Sequence, residues 1–81
     1  MRKGCYKCAL KHLAQALVLL LESKKGYPQH KWLAVGHMAE AEDELVEVSY
    51  KTLIREERHR IMDGEYGTGV MEIIEVLEKE L

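Results

Sequence analysis

Leu10-Lys11-His12-Leu13-Ala14-Gln15-Ala16-Leu17-Val18-Leu19-Leu20-Leu21-Glu22-Ser23-Lys24-Lys25-Gly26-Tyr27-Pro28 is the stretch that decides the fold. Leu10, Leu13, Leu17 and Leu20 recur in steps of three and four, the spacing of one helix face, and Ala14, Val18 and Leu21 widen it. Gly26 is placed to end that helix and Pro28 to begin the next. So short a connection makes the second helix run antiparallel to the first. The apolar run from Leu13 to Leu21 is too short to span a bilayer. Lys11 and His12 interrupt its start, and Glu22-Ser23-Lys24-Lys25 follows it without a small-residue cleavage site, so it reads as a buried helix and not as a signal peptide.

Working outward, the first helix is expected over about residues 6–24. The second is expected over about residues 28–62, where Ala34, Met38, Ala41, Leu45, Val48 and Thr52 alternate steps of four and three like a coiled-coil seam. That is long for so small a domain, and a kink near Ser49 would shorten it. Asp63-Gly64 ends it, and Thr68 in Gly67-Thr68-Gly69 is placed to cap a third helix over about residues 70–81. Val70, Ile73, Ile74, Leu77 and Leu81 stripe that helix, with glutamates opposite. The expected fold is all-α: a single domain over residues 1–81, an antiparallel hairpin with a long second helix and a short third helix packed back on it.

Eighty-one residues bury a thin core, which metals or oligomerisation often supplement. A hydrophobic fraction of 47% argues against disorder. The net charge of −2 argues against a general nucleic-acid coat, although Arg2, Lys3, Lys7 and Lys11 make the amino end basic and glutamates make the middle and the carboxyl end acidic. The Lys3, Lys7, Lys11 edge could meet phosphates, but no aromatic or amide residues interleave to read bases. Nucleic acid is therefore the less favoured partner.

The strongest chemical signal is Cys5-x-x-Cys8-x-x-x-His12, which uses both cysteines of the chain. Cys8 and His12 lie one helical turn apart, Cys5 curls back from the helix start, and Gly4 permits a tight turn before it. Two thiolates and an imidazole supply three ligands of a tetrahedral structural zinc site. Lys3, Lys7, Lys11 and the helix amino terminus favour thiolates. A redox pair of the thioredoxin kind would need a preceding strand, and none is expected.

A hairpin turning at Gly26 sets residue 12 opposite about residue 40 and residue 8 opposite about residue 44. Histidine is the commoner structural ligand, so chemistry favours His37 as the fourth, whereas side-chain lean favours Glu40 or Glu44. A second constellation, Glu56-x-x-His59, matches the helix-borne pair of di-iron carboxylate proteins. Its neighbours Arg55, Glu57, Arg58 and Arg60 suggest a solvated, ion-paired face instead. His30 is expected to bond locally, Trp32 and Tyr27 to pack over the hairpin end, and Gly36 to admit a close approach of the first helix.

Cys5-Tyr6-Lys7-Cys8-Ala9-Leu10-Lys11-His12-Leu13, followed by Gly26-Tyr27-Pro28-Gln29-His30-Lys31-Trp32-Leu33-Ala34-Val35-Gly36-His37 and Glu40-Ala41-Glu42, resembles small proteins encoded by bacteriophages and prophages. The resemblance spans about the first half of the chain. It implies a virus-derived protein acting in the cytoplasm of the host cell or in the virion, and it brings no catalytic residues. The expected function is a non-enzymatic, zinc-stabilised interaction or assembly protein. The alternatives are a small regulator binding nucleic acid or a host protein, and a metal-carboxylate enzyme using Glu56 and His59. More apolar surface than three such helices can enclose points to a homo-oligomer, most simply a two-fold dimer, or to a protein partner.

Overall fold

The computed structural model describes residues 4–65 and 67–81. The described residues form four helices: α1 Tyr6–Lys24, α2 His30–Asp43, α3 Val48–Met62 and α4 Val70–Glu78. Each packs on two neighbours, in the order α1, α2, α3, α4 and back to α1. Tyr6 meets Tyr50 edge-on at one end, with ring centroids 6.0 Å apart. At the other end, the space beside Gly67 is filled by Leu20 and Ile61. α1 and α3 therefore run the same way, with α2 and α4 opposed, which is an up-down-up-down bundle. The all-α class and the α1–α2 hairpin are as expected. Among the described residues, no helix is long and apolar enough to cross a membrane.

The core is four matched stripes. Ala9, Leu13, Ala16 and Leu20 come from α1; Ala34, Met38 and Ala41 from α2, continued by Leu45; Ile54 and Ile61 from α3; Val70, Ile73 and Leu77 from α4. Steps of three and four bring each set onto one face. On α1 the innermost residues include two alanines, while Leu10 and Leu17 are only partly buried against the core and Val18 and Leu21 are exposed. The widest apolar run of the sequence thus presents small residues inward and leaves some large ones outside.

The long second helix expected over residues 28–62 is two helices. Three backbone carbonyls at the break are engaged from elsewhere. Glu44 O accepts the Cys5 N–H at 2.8 Å, and Lys51 Nζ donates to Glu42 O at 2.8 Å and Leu45 O at 3.1 Å. Glu40, Glu42, Asp43 and Glu44 crowd the carboxyl end of α2, where the helix dipole disfavours anions and Lys51 compensates. The break also shifts the phase. Val48, expected in the seam, is 71% exposed, and the inward positions of α3 become Ile54, Glu57 and Ile61.

That shift corrects the reading of Glu57, which is buried instead of lying on a solvated face. Its carboxylate accepts the Gly69 N–H at 3.1 Å and Arg60 Nη1–H at 2.9 Å. It therefore anchors the start of α4, whose N-cap is Gly69 with no capping side chain, so Thr68 does not cap it. α4 itself ends at Glu78, short of the expected residue 81. It lies beside α1 and α3. Gly36 admits no close approach, because a Cβ there would meet open space. Tyr27 and Trp32 are half exposed at the hairpin end, Tyr27 stacked on His30 with centroids 5.3 Å apart.

Candidate metal centre

Cys5 is the N-cap of α1, its Sγ accepting the Cys8 N–H at 3.1 Å. Gly4 is required by space and not by a turn. A Cβ there would come within 3.0–3.1 Å of backbone atoms of Glu44, Leu45 and Val46. The amino end is thereby laid against the α2–α3 connection, and Cys5 N–H to Glu44 O fixes it there.

Cys5 and Cys8 are joined to each other in a disulfide. This corrects the expectation of two free thiolates. A disulfide sulfur carries no anionic lone pair, and zinc binds the thiolate. The Glu44 carboxylate lies with the two sulfurs in one group whose ligand-type atoms are all within 4.8 Å of one another.

His12 is not in that group. It meets His37 and Glu40 one turn further along the hairpin, in a second group of the same compactness. His12 Nδ1 is 3.4 Å from His37 Nδ1 and 3.1 Å from Glu40 Oε2. His37 Nδ1 is 3.7 Å from the same oxygen. The expected register, residue 12 opposite about residue 40, accounts for this meeting. The six residues considered as ligands are thus divided into two layers along α1 and α2: Cys5, Cys8 and Glu44 in one, His12, His37 and Glu40 in the other. A single Cys2His2 cluster is not what the described side chains assemble. The division had a sequence signal, since Cys8 and His12 are one turn apart on α1 and Glu44 and Glu40 are one turn apart on α2.

The other candidates lie apart. Glu56 and His59 are both exposed on α3 and share no metal-competent group among the described residues. The local hydrogen bond expected of His30 is not formed at Nδ1, which is buried without a hydrogen-bond partner and lies 3.7 Å from Glu22 Oε2. Lys7 and Lys11 are exposed on α1, whereas Lys3, which would complete that basic edge, lies outside the described residues. Glu42, nearly buried on α2, is held by Arg55 Nη2 at 3.3 Å and Arg58 Nη2 at 3.7 Å, which makes it a bridge between α2 and α3.

No protein-family model matches the chain, and neither a curated protein nor a solved structure matches it significantly.

Proposed function

We propose that the protein is a non-enzymatic, zinc-stabilised helical interaction or assembly protein related to bacteriophage proteins, acting in the host cytoplasm or in the virion. The observation that carries this reading is the concentration of six ligand-type side chains along the α1–α2 hairpin. Cys5, Cys8 and His12 come from one side, and His37, Glu40 and Glu44 from the other. Under reducing conditions the disulfide opens to two thiols beside a helix amino terminus, which favours the thiolate form zinc needs. Zinc so bound would tie the amino end to the hairpin and contribute directly to folding. The outward placement of Glu56 and His59 weighs against the carboxylate-enzyme reading.

Association is the second part of the proposal. The closed bundle encloses more of the helix stripes than a long helix with two short partners would. Even so, Val18, Leu21, Trp32 and Leu33 stay 50–58% exposed on α1 and α2. A second copy covering these side chains, or a protein partner, is the reading we favour. Elemental analysis of protein purified under reducing conditions without added metal tests the first part, with zinc expected near stoichiometric amounts. Light scattering tests the second: a stable monomer at high concentration defeats the homo-oligomer, and Leu21 and Leu33 replaced by Ser should weaken association.

A further inference from the structure

We infer that His12, His37 and Glu40 by themselves form a divalent-metal site of the zinc class, independent of the cysteine pair and with a fourth position open to water. This rests on the zinc reading above but moves the metal from the cysteine thiolates to the histidine–carboxylate layer.

The geometry carries it. A tetrahedral ion bound to imidazole nitrogen and carboxylate oxygen at about 2.0–2.2 Å requires its ligand atoms to be about 3.3–3.6 Å apart. The three atoms here stand 3.4, 3.1 and 3.7 Å apart, the first within that range and the others close on either side of it. They form one face of such a tetrahedron before any ion is placed.

The chemistry agrees. A neutral imidazole offers one N–H and one lone pair, and an ionised carboxylate only accepts. Two Nδ1 atoms facing each other, with one carboxylate oxygen beside them, share at most a proton or two among three acceptor sites. A divalent cation at the common point takes a lone pair from all three, and the carboxylate offsets part of its charge. Imidazole with carboxylate is a ligand set that suits zinc. The side chains are 26, 32 and 60% exposed for His12, His37 and Glu40, so an ion can enter and water can take the fourth position. Because His12 and His37 lie 25 residues apart on facing helices, the ion would link α1 to α2 whatever the redox state of Cys5 and Cys8.

The test uses the full chain, stripped of metal and titrated with Zn2+ and with Co2+ as its spectroscopic substitute. Wild type and Cys5→Ser/Cys8→Ser should each bind one ion with similar affinity. The cobalt form of the double serine variant should show the strong visible bands of four-coordination and no sulfur-to-metal charge transfer. His12→Ala and His37→Ala should weaken binding roughly 100-fold or more, beyond the usual effect of losing an outer-shell partner. Glu40→Gln, at a mostly exposed position that leaves folding intact, should weaken it comparably. Metal bound by wild type but lost in the double serine variant overturns this site and leaves the thiolate-based zinc reading standing. Wild-type affinity in Glu40→Gln also overturns it. Failure of wild type to bind in either redox state overturns both.

Discussion

Replacing Glu57 by Ala should destabilise the bundle by about 2–4 kcal/mol. Glu57 occupies an inward position between Ile54 and Ile61, only 3% exposed, and its carboxylate accepts the Gly69 N–H at 3.1 Å. Truncation orphans that amide at a part-buried helix start, which costs about 1–3 kcal/mol. It also removes a packed methylene worth about 0.8 kcal/mol, together with the volume of the carboxylate. The Arg60 bridge at 2.9 Å adds little, since Arg60 is half exposed and such pairs contribute about 0–1 kcal/mol. Gaining Ala in a helix interior offsets a few tenths of a kcal/mol. Glu57→Gln keeps an amide oxygen for Gly69 and should cost only about 1 kcal/mol. For a domain of this size, the Ala variant should melt roughly 10–25 °C below wild type. Urea unfolding followed by circular dichroism measures the energies, and hydrogen exchange at the Gly69 amide reports the cause. Protection there should be lost in Ala and kept in Gln. If Glu57 belonged to a solvated helix face, Glu57→Ala would be neutral or slightly stabilising. A Tm at or above wild type refutes the buried anchor.

Gly36→Ala should stabilise the protein by about 1 kcal/mol, because the position is interior to α2 and an added Cβ meets nothing within 4 Å; a urea midpoint that falls refutes this. Gly4→Ala should destabilise by roughly 1–3 kcal/mol, since its Cβ would press on backbone atoms of the α2–α3 connection at 3.0–3.1 Å; an unchanged midpoint would show that the amino end is not seated there. Tyr50 donates to Glu80 Oε1 at 2.5 Å, and that hydrogen bond, with smaller contributions from desolvation and charge, pushes its pKa up to about 12 from 10.0. The folded state thus holds this proton more tightly than the unfolded chain. The stabilisation is complete below pH 10 and is lost as pH rises toward 12. Tyr50→Phe should remove that alkaline decline, and ultraviolet titration should show one late-titrating tyrosine in wild type that the variant lacks.

Fold class was legible because it depends on periodicity within single helices, and the steps of three and four in residues 9–20, 34–45 and 70–77 are unbroken. The division of the second helix was legible only in part: its length suggested a kink near Ser49, but nothing inside residues 44–47 fixes the break there. No Gly or Pro stands there, and the carbonyls of Glu42, Glu44 and Leu45 are taken by Lys51 and by the amide of Cys5, thirty-nine residues from Glu44 in the chain. The break moved the α3 seam by two residues, from Val48 and Thr52 to Tyr50 and Ile54. That shift placed Glu57 inside, where a continuous helix would have left it out. The candidate site is a different case. Its residue types and the hairpin register were readable, and the register alone pairs position 12 with position 40. The expectation asked four ligands to meet at one ion, whereas the same register also pairs position 8 with position 44 one turn away. Two layers follow from applying that pairing twice. On the proposed zinc reading, which layer would take a metal is then a question of donor chemistry: the thiol layer depends on reduction, whereas the histidine–carboxylate layer does not.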